Sequence, residues 1–331
     1  MEKIQPIQYC PKDDLPSWWG EAISSKEMLR LKDVGMNCGP EYTHFPLFSK
    51  IGAYSRYAHS LGVGEIVWKF TRDPRQTLSA LYHDIATPCF AHVVDFMNGD
   101  YGKQESTEEA TSSLLSQSEE IRSLLRRLGL SVEDVSDYHR FPVADTPSPS
   151  LSSDRLEYTL SNAINLLGEK RGQMQRVYDQ IVLLSDGLLG FLEEAPALQL
   201  GKLSLRCGGI YCCDEDRYAM ETLARLLKKA IFAGIIQKSD LYGQEKDLIA
   251  KISASSLAPE WNVYRGLFTL QKSPSKLSDE WIQVDAKKRY IDPLIGERTL
   301  SKASPTFRKQ VEEFLKKDFC VFLKGVSRKL F

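Results

Sequence analysis

His83 and Asp84 are adjacent, with His59 twenty-four residues before the pair and Asp154 seventy residues after Asp84. Two imidazoles and two carboxylates make a donor set that suits a borderline divalent cation. Such a cation lowers the pKa of a bound water to about 7 and polarises a phosphoryl oxygen. On a helix, neighbouring side chains point roughly 100° apart, so His83 and Asp84 alone are a poor chelate. They become a site only if other elements bring His59 and Asp154 to them.

Three apolar-flanked runs carry these residues, at positions 55–63, 80–85 and 152–158. Apolar spacing of three and four predicts helices over residues 29–34, 56–70, 75–86, 105–128 and 154–167, then over 174–192 and 218–233. Ser106-Thr107-Glu108-Glu109 supplies a helix-start signal. Pro142, Pro147 and Pro149 exclude a helix over 141–150, so a loop leads into Asp154 and is expected to shape the pocket entrance. Alternation around Gly208-Gly209 predicts a small hairpin over 202–212. A second β-leaning stretch, 281–293, holds Lys287, Lys288 and Arg289. These residues read either as a solvated basic edge strand or as cations that reach phosphates from a second domain.

The motifs Arg56 to Val63, Leu81 to His92 and Ser152 to Tyr158 correspond in order and spacing to RFxHSLGV, LxHDIGHxPFSH and DxDRLDY. With them the chain resembles the HD-domain metal-dependent phosphohydrolases, particularly the branch of deoxynucleoside triphosphate triphosphohydrolases. The resemblance covers about residues 25–165 and fades beyond. It implies a mainly α fold, an HD helical bundle with a C-terminal, mostly helical extension carrying small hairpins. It also implies one divalent ion (manganese, iron, nickel, zinc or magnesium) held by His59, His83, Asp84 and Asp154. Arg56 and Arg155 would face substrate phosphates, Tyr158 would line the pocket, and Asn162 would meet a sugar. Arg56 precedes His59 by three residues and so shares its helix face, where a planar fork suits phosphate.

The departures from the family concern proton transfer. The histidine expected three residues after Asp84 is Thr87, and the partner of a downstream His-Glu pair falls at Gln104-Glu105. A threonine cannot serve as an acid near neutral pH. His92 and Asp95 match the family's FSHxxD segment, so Asp84, His92 and Glu105 are the candidate catalytic groups, with Asp95, Glu108 and Glu109 as other carboxylates able to move a proton. Two functions follow. One is a hydrolase that cleaves a nucleotide or similar small phosphorylated molecule with metal-activated water. The other is a nucleotide-binding regulator or scaffold whose chemistry is impaired.

Of the 331 residues, 42% are hydrophobic and 26% charged, with a net charge of −1, so the chain carries no broad basic face for nucleic acid. No stretch of eighteen apolar residues occurs and no apolar leader follows Met1, which predicts a cytoplasmic protein without membrane contact. Seven cysteines without a CxxC pair read as free thiols. The expected organisation is a docked segment over 1–24, anchored by Trp18-Trp19, a metal-binding helical core over 25–168, and a helical region with short strands over 169–331. The resemblance further implies dimers or larger assemblies.

Overall fold

The computed structural model describes residues 7–102 and 110–328. Local capping starts two of the helices that carry the site. The Ser55 hydroxyl accepts from the Ala58 amide at 3.3 Å and opens the helix Arg56–Thr71. The Ser152 hydroxyl accepts from the Arg155 amide at 3.4 Å and opens Ser153–Asn165. Each cap satisfies an amide that has no partner inside the helix. Between them, Asp73 accepts from the Arg75 amide and Pro74 occupies the first position of the helix Pro74–Leu81. The three helices pack on one another through Arg56–Thr71.

Three apolar clusters hold this arrangement. In one, Trp18, Trp19, Met28 and Leu31 bury against Leu78, Leu81 and Leu124, which docks the N-terminal segment by its aromatic side chains. In a second, Val63, Ile66, Leu156 and Leu160 meet Leu200, Leu203 and Phe307. In the third, Phe45, Phe90 and Phe96 meet Leu223, Leu227, Trp261 and Leu323. Fully burying a side chain of this kind contributes about 1.5–3 kcal/mol. The last two clusters draw residues from both sides of position 168, so packing runs across that proposed boundary.

The fold is mainly α, as the sequence predicts, with two small sheets among the described residues, but several elements differ from expectation. The helix expected over 75–86 ends at Leu81, where Tyr82 takes φ −96° and ψ 4° and its amide still bonds the Leu78 carbonyl. The helix expected over 29–34 is the α-helix Lys26–Arg30 followed by a 3-10 turn, Leu31–Asp33. Within 105–128, the described part forms two helices, Thr111–Gln117 and Glu119–Arg127, parted at Ser118, whose ψ of 111° breaks the helix. The helix expected over 174–192 stops at Tyr178 in Arg171–Tyr178, and Val182–Leu183 then pairs antiparallel with Leu189–Phe191. Leu189–Phe191 pairs in parallel with Leu294–Ile295, which turns back on Arg298–Thr299. The second sheet pairs Leu267–Ser273 with Phe322–Ser327.

The largest departure is at 202–212, which up to Tyr211 lies inside the helix Glu194–Tyr211, with Cys212 as its C-cap, and is not a hairpin. Its glycines serve close packing. A Cβ at Gly208 would lie 2.1 Å from the Arg289 carbonyl oxygen, and one at Gly201 would lie 2.8 Å from the Phe307 ring. The partner that crosses at Gly208 is the stretch predicted as a strand over 281–293. It forms no strand, and within it Ile282 makes an isolated bridge to Leu323. The cysteines are free thiols, and Cys89 is fully buried in the third cluster. Among the described residues no helix is long and apolar enough to cross a membrane.

Candidate metal centre

Because the helix ends at Leu81, His83 and Asp84 lie in a turn where the helical 100° divergence no longer applies, and both can face one point. His83 Nε2 lies 3.6 Å from Asp84 Oδ2 and 3.8 Å from Asp154 Oδ1. His59 Nε2 lies 3.0 Å from Asp154 Oδ1 and 3.9 Å from Asp84 Oδ2. One donor atom each from His59, His83 and Asp154 falls within 4.8 Å of the others. Asp84 adjoins this group while also holding two protein partners. Its Oδ2 accepts from Arg56 Nη1 at 2.9 Å, and its Oδ1 accepts from the Thr87 hydroxyl at 2.7 Å. Thr87, which stands where the family resemblance expects a histidine, therefore orients the carboxylate.

Both imidazoles are turned by bonds on their far nitrogens. His83 Nδ1 donates to the Ala80 carbonyl at 2.7 Å, which turns Nε2 toward the cluster. His59 Nδ1 bonds Glu157 Oε2 at 2.5 Å. Glu157 is fully buried and also accepts from the hydroxyls of Tyr9 at 3.2 Å, Ser161 at 2.7 Å and Tyr54. Burial alone would lower the His59 pKa, yet its bonds to Asp154 and Glu157 push it up to about 10. Asp84 and Asp154 are held well below the usual carboxylate range. Burial opposes this in both, and is outweighed by Arg56 and the two imidazoles at Asp84 and by His59, His83 and Arg155 at Asp154. A place that stabilises positive charge this strongly, with nitrogen and oxygen donors converging, fits a borderline divalent cation.

The cluster lines one wall of a cavity of about 480 Å3. Arg56, Arg155, Tyr158, Asn162 and His92 line the same cavity, while Asp95 is buried at His92 and does not line it; Glu105, Glu108 and Glu109 lie outside the described residues. The two arginines have internal partners. Arg56 pairs with Asp84, and Arg155 lies 3.0 Å from Asp145 and donates to the Ser150 carbonyl at 2.7 Å, anchoring the proline-rich loop. Asn162 donates to the Tyr211 hydroxyl at 2.8 Å. His92 Nδ1 donates to buried Asp95 at 2.9 Å, and its pKa is lowered, mainly by burial.

Sequence reasoning missed several wall residues. His139 bonds Asp145 at 2.7 Å, and its neighbour Tyr138 packs 5.1 Å from the His83 ring. Glu157, buried behind His59 and not on the wall, follows Asp154 by three residues, a same-face spacing that marks it. Nothing in the sequence marks Tyr211 or Asp216, which line the cavity from elements more than fifty residues downstream of Asp154.

No known protein-family model matches the chain. It is 25% identical over 280 residues to the uncharacterized protein YdhJ of Bacillus subtilis, covering 83% of each. It is 27% identical over 145 residues to a protein of Cordyceps militaris named metal-dependent phosphohydrolase cns2, covering 44% of this chain and 40% of that one. Its fold is shared with a phosphohydrolase of Bacteroides thetaiotaomicron, with a TM-score of 0.61 over 99% of this chain and 100% of the other at 13% identity.

Proposed function

We propose that the chain is a metal-dependent phosphohydrolase that cleaves a phosphate or polyphosphate group from a small, nucleotide-like molecule, with the deoxynucleoside triphosphates as first candidates. The observation that carries this reading is the convergence of His59, His83, Asp84 and Asp154 on the wall of a cavity sized for a small ligand. The relative named metal-dependent phosphohydrolase supports the same reaction class.

A divalent ion bound there supplies Lewis acidity to a phosphoryl oxygen and lowers the pKa of a water. The protein's part is to position and to move a proton. Ala80 and Glu157 turn the two imidazoles, and Thr87 and Arg56 hold Asp84. Tyr158 and Asn162 form wall against the bound molecule. In the hydrolysis, a water oxygen bonds to phosphorus, the bond from phosphorus to the leaving oxygen breaks, and one proton leaves the water. His92 is suited to accept that proton. Burial keeps it neutral near pH 7, and Asp95 holds its Nδ1–H, which leaves Nε2 as the base.

Thr87 supports a second reading, a nucleotide-binding regulator with weakened chemistry, because its hydroxyl serves Asp84 and cannot protonate a leaving group. The test is release of phosphate, pyrophosphate and tripolyphosphate from a nucleotide panel in manganese, iron, nickel, zinc, magnesium or chelator, with Asp84→Ala and Asp154→Asn beside wild type. Turnover that needs metal and disappears in both variants supports the hydrolase. Bound metal and bound nucleotide without turnover supports the regulator.

A further inference from the structure

The stretch that carries Lys287, Lys288 and Arg289 is clamped on both sides. The buried guanidinium of Arg217 donates to the Val284 carbonyl, and the Arg289 carbonyl lies against Gly208, where a Cβ would be 2.1 Å away. The Ile291 amide donates to Ser204 at 2.9 Å, and the Asp292 amide donates to the Pro149 carbonyl at 2.8 Å. The three basic side chains face different surroundings. Here Lys287 and Arg289 line the cavity, while Lys288 between them donates to the Leu315 carbonyl and lies 5.5 Å over the Phe319 ring. The three basic residues therefore divide into a pair facing the cavity and one packing residue.

The same cavity wall places Arg289 near two groups that adjoin the cluster. Its charge helps burial hold His92 below its usual pKa, and it opposes the burial that pushes Tyr158 up to about 12. Tyr158 in turn lies 6.5 Å from the His59 ring, centroid to centroid. Arg289 thus places a positive charge on the same cavity wall, brought there by the C-terminal part of the chain.

We propose that Lys287 and Arg289 form a phosphate subsite that grips the distal phosphates of a di- or triphosphate whose scissile phosphoryl group lies against the His59, His83, Asp84 and Asp154 cluster. The assignment of the cluster end rests on the hydrolase reading; the subsite itself binds with or without turnover. A phosphate chain carries charge on each phosphoryl group, and a guanidinium can meet two of its oxygens at once while an ammonium acts as a point charge. The subsite therefore selects polyphosphates over monophosphates, with Arg289 as the stronger contact.

Calorimetric titration of metal-loaded protein with inorganic phosphate and with the magnesium complexes of pyrophosphate and tripolyphosphate tests this. Wild type is expected to bind tripolyphosphate most tightly and phosphate most weakly. Arg289→Met should weaken tripolyphosphate binding roughly tenfold or more, as the loss of charged hydrogen bonds implies. Arg289→Lys should fall between it and wild type, Lys287→Met should weaken binding less, and Lys288→Met should match wild type. The proposal is overturned if tripolyphosphate binds wild type no tighter than phosphate does, or binds Arg289→Met and Lys287→Met as it binds wild type. Weakened binding in the variants, with no nucleotide turned over by wild type, removes the hydrolase reading and keeps the subsite. Turnover with an unchanged KM in both variants removes the subsite and keeps the hydrolase.

Discussion

Glu157 holds the Nδ1 edge of His59 at 2.5 Å while the opposite nitrogen, Nε2, lies 3.0 Å from Asp154. Carboxylate, imidazole and second carboxylate therefore form one chain running from a buried hydroxyl network to the open cavity. An outer carboxylate of this kind fixes the orientation and basicity of a ligating histidine, and its loss costs about 10–100-fold in metal affinity. Glu157→Gln is expected to weaken manganese or zinc binding within that range, read by competition with a chelating dye. Wild-type affinity in this variant would remove Glu157 from the metal centre.

The ion pair of Arg56 and Asp84, at 2.9 Å with side chains 8% and 12% exposed, makes each residue dependent on the other. Breaking such a pair leaves a buried charge without compensation and costs about 3–5 kcal/mol. Arg56→Met should lose stability on that scale in chelator, and added metal should restore part of it by supplying positive charge beside Asp84. Urea unfolding with and without metal reads both effects. A loss below about 1 kcal/mol, the range of a surface pair, would contradict the account.

The Glu41 carboxyl is pushed up to about 8, first by burial and then by the negative charge of Glu245. Between the ordinary glutamate value of 4.5 and about 8 the folded chain therefore holds a proton that the unfolded chain has released. Stability that depends on this proton is complete below the lower value and declines as pH rises through the upper one. The melting temperature should fall from pH 5 to pH 8, and Glu41→Gln, which keeps a neutral amide, should reduce the fall. Burial raises Glu245 and Asp216 in the same direction, so a residual slope is expected. Parallel slopes in wild type and variant would exclude Glu41 as a source.

Two adjacent glycines give opposite predictions. A Cβ at Gly208 would meet the Arg289 carbonyl oxygen at 2.1 Å, while one at Gly209 meets nothing within 4 Å. Gly208→Ala should lower stability by about 1–3 kcal/mol, as overpacking does, and should displace the segment that carries Lys287 and Arg289. Gly209→Ala lies in the same helix and should gain about 0.5–1 kcal/mol from restricted backbone freedom. Thermal unfolding of the two variants should therefore shift in opposite directions. Equal shifts would mean that the segment does not cross the helix at Gly208.

Local chemistry made part of this protein legible in its sequence. Apolar spacing of three and four marked the helices Arg56–Thr71, Ser153–Asn165 and Asp214–Phe232 to within a few residues, because periodicity and capping act over one or two turns. The three prolines excluded a helix before Asp154 by the same local logic. Residue types and motif order also nominated His59, His83, Asp84 and Asp154, whose donor atoms the fold then gathers.

Tertiary structure decided what depends on contacts distant in sequence. The helix ending at Leu81, which lets an adjacent His-Asp pair face one point, carries no glycine or proline at its end to mark it. The Gly-Gly pair at 208–209 looks like a turn until a segment some eighty residues later crosses it; its purpose is then close approach. Glu157 reaches His59 across 98 positions of sequence, and Lys287 and Arg289 reach the cavity from farther still. Spacing along a chain can say which residues share a helix face. Which faces meet is set by how the apolar clusters pack, and that is a property of the whole fold.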